Sequence, residues 1–223
     1  MSTSLANTSA LATLELGAQK STNSVIWLHG LGADGHDFAP VVEQLDMPEV
    51  RFILPHAPAR PVTMNNGYVM PAWYDLYGLT SGTPQDAAGI HATSTQINAL
   101  IEREYAHGVQ RIVLAGFSQG GAIALHTALR QTQPLAGVMA LSTYLPLADK
   151  ASAETTAAGR ATPIYMAHGT YDEVITLARA EASADALRTL GCALEWQEYP
   201  MAHSLCRPQL DDIRHFLQRV LGS

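Results

Sequence analysis

The chain has 223 residues, of which 47% are hydrophobic and only 15% charged, so it can bury a sizeable core and is not intrinsically disordered. Its formal net charge of −7, without a basic run, disfavours nucleic acid and anionic lipid as partners. The two cysteines form no spaced framework, the start lacks a charged and apolar secretory leader, and no stretch has the roughly 20 apolar residues that span a bilayer, so we expect a soluble, reduced, cytoplasmic protein.

Short apolar runs alternate along the chain with stretches of helical periodicity. Continuous runs predict buried parallel strands at 25–28, 50–54, 112–115, 137–141 and 164–167, and alternating residues predict an exposed or edge strand at 194–199. Helical spacing predicts helices directly after Ser118, over 176–190, from Pro208 to Val220 and, less regularly, from Ile90 to Ile101. The alternation predicts one α/β domain over residues 1–223, with helices on both faces of a parallel sheet; about the first 20 residues stay uninterpreted.

Residues 55–85 interrupt this alternation with a segment rich in proline, glycine and aromatic residues. The segment is too long for an ordinary connection, and it has too many apolar and aromatic side chains for disorder. We interpret it as an ordered excursion that helps to wall an apolar pocket. A loop that merely packs on the core is an equally weighted alternative.

The stretch Gly116-Phe117-Ser118-Gln119-Gly120 follows an apolar run and matches the G-x-S-x-G nucleophile elbow. In such an elbow the turn from strand to helix is so tight that only small residues fit two positions either side of the serine. A glycine-rich strand end is the competing interpretation. At a glycine frequency of about 7%, a chain of this length matches by chance roughly once in ten to fifteen, so the remaining residues must decide.

A serine hydroxyl needs a base within hydrogen-bond reach, and the base needs an acid that orients it. In α/β-hydrolases the order along the chain is Ser, then Asp or Glu, then His. His203 is the best candidate base, because it lies in a loop between the last strand and the last helix. His126 lies within the helix that follows the elbow, His215 within the final helix on a solvated face, and His168 at a strand end before the next acidic residue.

Asp172 is the candidate acid, because it follows the strand that precedes the last one. Glu173 is its local rival, since spacing cannot settle a shift of one residue in a loop. Asp149 follows an earlier strand in a loop with the character of surface.

Acyl transfer also needs two backbone N–H donors for the oxyanion. One is expected from Gln119, directly after the serine and at the start of a helix. The second is expected from Leu31, in the loop His29-Gly30-Leu31-Gly32 after the first apolar run. Taken alone, that loop is better interpreted as an ordinary glycine turn, but its position after a buried strand, in a chain with an elbow, favours the donor.

A metal site built from His29, Asp34, His36 and Asp37 is disfavoured, because their spacing matches no compact ligand motif. Polar turn residues and a helix cap explain these side chains better. We expect no metal.

The segments VIWLHGLGADGHDF, PHAPARPVTMNNGYVMPAWYDL, GFSQGGAIAL, HGTYDEVI and YPMAHSLC, in that order, resemble the phospholipase/carboxylesterase family. This family includes bacterial carboxylesterases and acyl-protein thioesterases. The resemblance runs from about Val25 into the final helix. It implies an α/β-hydrolase fold with a mostly parallel sheet and no large cap domain. It also places the family's nucleophile, acid, base and two oxyanion donors on the five residues chosen above.

These residues predict a cofactor-independent serine esterase that cleaves small-to-medium acyl esters through an acyl-enzyme. An acyl-protein thioesterase or lysophospholipase acting on longer chains is the alternative, and a non-catalytic binding protein is a remote one. Met70, Trp73 and Val174 are placed near the acyl pocket. The substrate would be a small-molecule ester or thioester, with no stable membrane insertion, and an apolar rim around the pocket could serve a homodimer.

Overall fold

A seven-stranded sheet forms the centre of the computed structural model, which describes residues 10–80 and 82–222. Its strands, in chain order, are β1 (Thr13–Gly17), β2 (Asn23–Leu28), β3 (Arg51–Pro55), β6 (Arg111–Phe117), β7 (Gly137–Leu141), β8 (Ile164–Gly169) and β9 (Leu194–Tyr199); β4 (Ala59–Val62) and β5 (Tyr68–Pro71) form a separate hairpin. The order across the sheet is β1-β3-β2-β6-β7-β8-β9. All neighbours are parallel except β1, which runs antiparallel to β3.

Within the residues that the structure describes, seven α-helices lie around the strands: α1 (Ala39–Leu45), α2 (Ala87–Ala106), α3 (Gln119–Ala128), α4 (Ala148–Glu154), α5 (Ala157–Ala161), α6 (Leu177–Thr189) and α7 (Arg207–Leu221). Among the described residues, none of the helices is long and apolar enough to cross a bilayer. The helices predicted after Ser118, near Ile90, over 176–190 and from Pro208 onward correspond to α3, α2, α6 and α7.

The sheet separates two apolar clusters, as expected when successive side chains of a strand point to opposite faces. Val25 and Trp27 of β2 pack with residues of α1 and α7 on one face. Ile26 and Leu28, the alternate residues of the same strand, pack with residues of α2, α3 and α6 on the opposite face of the sheet. Burial on both faces explains why the central strands read as continuous apolar runs.

The described residues of the 55–85 excursion, 55–80 and 82–85, include regular structure. The excursion contains the β4–β5 hairpin, followed by Trp73 and Tyr74, which are almost completely buried. The indole N–H of Trp73 donates to the carbonyl of His29 at 2.8 Å, and its carbonyl accepts the hydroxyl of Thr93. Asp86, at the start of α2, accepts the N–H of Asp75 at 3.0 Å. These bonds tie the excursion to the sheet and to α2.

Of the two strands at the edges of the sheet, only one was predicted from the sequence. Strand β9 lies at the edge of the sheet, which confirms the alternating pattern of 194–199 as an edge strand. Strand β1 forms the opposite edge and lies within the first 20 residues, which the sequence left uninterpreted. Glu15 of β1 also forms an ion pair with Arg51 of β3, with 2.7 Å between the charged groups, which joins two residues far apart in the chain. Residues 1–9 of that uninterpreted segment lie outside the described residues.

Candidate active site

Ser118 occupies the turn between β6 and α3 in a backbone conformation that residues with side chains rarely adopt. Its φ is 53° and its ψ is −120°, and its N–H donates to the carbonyl of Leu141 at 2.9 Å. The turn depends on two glycines: a Cβ at Gly116 would overlap the backbone of Gly120, and a Cβ at Gly120 would overlap the carbonyl of Leu28. Strain that the surrounding structure holds in place is typical of functional sites.

A short hydrogen bond links the candidate acid to the candidate base. Asp172 Oδ2 accepts from His203 Nδ1 at 2.7 Å, while Asp172 Oδ1 accepts the N–H groups of Val174 and Ile175, each at 2.9 Å. Asp172 follows β8 and His203 follows β9, and because these neighbouring strands are parallel their carboxyl ends meet at one edge of the sheet. With Nδ1 directed at a carboxylate, Nε2 is the nitrogen that His203 can offer to another group.

Ser118 and His203 line the same cavity, between the elbow and the loop after β9. The ring of His203 packs against that of Phe117, with 4.8 Å between the centroids. In the part of the chain that the structure describes, no hydrogen bond joins the Ser118 hydroxyl to His203. Such bonds are often long in ligand-free sites and tighten with substrate. The fold therefore brings the three predicted side chains to one place.

The two predicted oxyanion donors lie beside Ser118. Leu31 lines the cavity, and its loop is held by the N–H of Gly32, which donates to the carbonyl of Pro71 at 2.9 Å. Gln119 is the first residue of α3, so its backbone N–H has no acceptor within the helix. Both backbones are thus close to the elbow at the carboxyl ends of β2 and β6.

The other candidates lie elsewhere. His126 is buried in α3 with both ring nitrogens unpartnered among the described residues, and burial lowers its pKa to about 3. His215 is exposed on α7, as predicted. Asp149 and Glu173 are exposed too, so burial and the contact to His203 distinguish Asp172 from its neighbour.

The contact of His168 with Asp172 was not predicted from the sequence. His168 is fully buried near the end of β8, and its Nε2 lies 3.4 Å from Asp172 Oδ2. The sequence signal was its place four residues before the acid, on the same strand and loop. It does not line the cavity.

The cavity has a volume of about 530 Å³ and a largely apolar wall. Val174 lines it, as predicted, but Met70 and Trp73 do not. Trp73 is buried beneath the wall and is held there by the carbonyl of His29. Met70 lies on the hairpin, where its sulfur contacts the amide of Asn65. The apolar wall residues that the sequence missed include Phe38, Val41, Leu76, Leu79, Phe117 and Leu205.

The four residues considered as a metal site in the sequence analysis do not lie together in the fold. His29 is buried, and its ring accepts the N–H of Ala57 at 3.0 Å. Asp34 and His36 approach His56 instead, with ligand atoms within 4.8 Å of one another. The side chains of Asp34 and His36 are exposed, and His56 Nδ1 accepts the N–H of Gly35 at 3.2 Å.

Comparison with known proteins places this geometry in a family. The family model described as Phospholipase/Carboxylesterase matches residues 10–221. The chain is 38% identical over 218 residues to "Acyl-protein thioesterase 1" of Gibberella zeae, covering 92% of this chain and 93% of that protein. It is 40% identical over 216 residues to "Acyl-protein thioesterase 1" of Neurospora crassa, covering 91% and 88%.

Solved structures of related proteins have the same fold as this chain. The crystal structure of Arabidopsis thaliana SOBER1 superposes with a TM-score of 0.85 at 30% identity, covering 89% of this chain and 99% of that one. The crystal structure of Zea mays acyl-protein thioesterase 2 has a TM-score of 0.87 at 26% identity, covering 95% and 99%. The chain therefore belongs to the phospholipase/carboxylesterase family of the α/β-hydrolase fold and is an esterase or thioesterase.

Proposed function

We propose that this protein hydrolyses acyl thioesters and esters with long acyl chains, in the manner of an acyl-protein thioesterase, with Ser118, His203 and Asp172 as its catalytic residues. The observation that carries the proposal is the hydrogen bond between Asp172 and His203, because His203 lines the same apolar cavity as the strained Ser118. The relatives named acyl-protein thioesterase support acyl-protein thioesters as the substrate class.

The reaction begins with attack of Ser118 Oγ on the acyl carbonyl carbon. His203 Nε2 takes the hydroxyl proton, and Asp172 holds the ring through Nδ1 and stabilises the imidazolium. The tetrahedral oxyanion accepts hydrogen bonds from the N–H groups of Leu31 and Gln119. His203 then returns the proton to the leaving thiolate or alkoxide.

Deacylation repeats these steps with water. His203 removes a proton from a water molecule, whose oxygen attacks the carbonyl of the acyl-enzyme. Collapse of the second tetrahedral intermediate releases the fatty acid and reprotonates Ser118.

The size and the apolar wall of the cavity favour a long acyl chain over a short one. Its volume of about 530 Å³ lies within the range of small-molecule sites, and its wall is built mainly from aliphatic and aromatic side chains. Each buried methylene contributes about 0.8 kcal/mol, so two further methylenes should raise kcat/KM roughly tenfold until the cavity is full. A short acyl ester would leave most of the wall uncovered.

The experiment that tests the proposal compares wild type with Ser118→Ala on p-nitrophenyl esters from two to sixteen carbons, a palmitoyl thioester peptide and lysophosphatidylcholine. We expect activity to rise with chain length, to include the thioester and to fall by about 10⁴- to 10⁶-fold in the variant. An optimum at short esters with no thioesterase activity would favour the carboxylesterase interpretation. Equal activities of wild type and variant would contradict the triad, and inertness of both would favour a binding protein.

A further inference from the structure

His168 is a buried histidine beside the candidate acid that the proposed mechanism does not use. Its side chain has no exposed surface, on β8 four residues before Asp172. Its Nε2 lies 2.7 Å from the carbonyl oxygen of Ile175 and 3.4 Å from Asp172 Oδ2. Among the described residues its Nδ1 has no hydrogen-bond partner. The hydrogen bonding of the ring is therefore directed only toward the turn that carries the acid.

The contact with Ile175 determines which nitrogen carries the proton. A carbonyl oxygen only accepts hydrogen bonds, so Nε2 must be the donor, and Nδ1 of a neutral ring is then unprotonated. Burial lowers the pKa of His168, which keeps the ring neutral near pH 7. The charged and titratable groups that face it are Asp172, His203 and Glu198.

The turn from Asp172 to Ile175 is closed by bonds in both directions. Asp172 Oδ1 accepts the N–H groups of Val174 and Ile175, and the carbonyl of Ile175 accepts Nε2–H of His168. The ring of His168 stacks on Trp196 of β9, with centroids 6.4 Å apart and 12° between the planes. Strand β9 thus buttresses the ring from behind.

We propose that His168 is a positioning residue, whose Nε2–H closes the turn at Ile175 and faces Asp172 Oδ2, so that this oxygen is held toward His203. The inference rests on the proposed function, since it assigns His168 a role in orienting the triad acid. It acts through Asp172 and touches neither substrate nor Ser118.

The same turn carries part of the cavity wall. Val174 and Ile175 line the cavity, while their N–H groups hold the carboxylate of Asp172. His168 therefore connects the position of the acid with the position of that wall. Its loss should act mainly on kcat, because the acid orients the base in the transition state.

The test compares His168→Gln, His168→Phe and His168→Asn with wild type. A glutamine amide can place its N–H near the position of Nε2, whereas an asparagine amide reaches only the position of Nδ1 and phenylalanine has no donor. We expect Phe and Asn to lower kcat by about 10- to 100-fold and Gln to retain most of it. The matched control is His126→Phe, a buried histidine in α3 without a contact to Asp172.

The pH dependence of kcat/KM separates positioning from general stability. With a misplaced Asp172 carboxylate the imidazolium of His203 is stabilised less, so the acidic limb should move to lower pH in Phe and Asn but not in the control. Active-site titration with a fluorophosphonate normalises every rate to folded enzyme. If Phe does not fold, the comparison of Gln with Asn carries the same prediction.

An acidic limb that stays in place or moves to higher pH in Phe or Asn overturns the inference. So does a kcat per titrated site equal to that of wild type, or a Gln variant no better than Asn. Failure of the proposed function looks different: wild type would not react with the fluorophosphonate, or Ser118→Ala would stay active. An inactive Ser118→Ala with unaffected His168 variants would remove only the role of His168.

Discussion

The side chain of Gln119 binds the backbone of the excursion next to Trp73. Its Oε1 accepts the N–H of Trp73 at 2.8 Å, and its Nε2 donates to the carbonyl of Tyr74, also at 2.8 Å. The residue whose backbone N–H is the proposed oxyanion donor therefore also anchors the segment beneath the cavity wall. The elbow and the excursion, some 45 residues apart in the chain, form one unit.

Gln119→Leu should remove both hydrogen bonds between the elbow and the excursion while keeping a side chain of similar size. The variant leaves a buried N–H and a buried carbonyl unpaired, which costs about 1–3 kcal/mol each in the free energy of unfolding. Urea unfolding measures that loss, and the chain-length profile of ester hydrolysis measures the effect on the wall. The exposed Gln110→Leu is the control. Unchanged stability would contradict the anchoring role.

Gly116→Ala should prevent the elbow from forming. A Cβ there meets the backbone of Gly120, which no side-chain rotation relieves. We expect loss of soluble folded protein or destabilisation at the upper end of overpacking changes, about 3 kcal/mol or more. Gly108→Ala is the matched control, because its φ is 89° but no heavy atom lies within 4 Å of the added Cβ, so it should cost only about 1 kcal/mol. Equal melting temperatures of the two variants would disprove the packing argument.

Asp172→Asn should separate folding from catalysis. The amide oxygen can still accept the N–H groups of Val174 and Ile175, but the amide no longer stabilises an imidazolium at His203. By analogy with other triads, kcat should fall by about 10⁴-fold. Circular dichroism and thermal unfolding check that the fold persists. Glu173→Gln, one residue along and exposed, should change kcat little. A comparable loss of kcat in that variant would mean that Asp172 is not the acid.

The buried His126 should make the protein sensitive to acid. Burial, with the Arg130 charge as a smaller cause, lowers its pKa from 6.5 to about 3, so the unfolded state binds a proton that the folded state excludes. This contribution to stability is complete above pH 6.5 and is lost as the pH falls from 6.5 to about 3, by up to about 1.4 kcal/mol per pH unit.

The check is the pH dependence of urea unfolding for wild type and His126→Phe. The variant should lose less stability than wild type over that range, whatever its stability at pH 7. The exposed His215→Phe controls for removal of a histidine. His29 and His168, whose pKa values burial also lowers, should leave the variant with a smaller residual slope of the same sign. Identical slopes for wild type and His126→Phe would refute the assignment.

Much of the fold could be predicted from local pattern. The apolar runs that became β2, β3, β6, β7 and β8 are buried on both faces, so each is recognisable without knowledge of its neighbours. Strand β1 and the hairpin of β4 and β5 were missed, because the first pairs through β3 and the second packs on a tertiary surface. Short helices such as α4 and α5 have too few turns for periodicity to identify them.

Local sequence signals were enough to predict the candidate site residues: the glycines around Ser118, and the order of serine, acid and histidine along an alternating chain. Those signals are local, because a tight turn excludes side chains and a strand end is marked by its own residues. Tertiary structure alone decided that Asp172 rather than Glu173 is buried against His203, that His168 lies behind the acid, and that Trp73 supports the cavity wall instead of lining it. The physical reason is that burial, contact distance and cavity shape arise from packing between segments far apart in the chain.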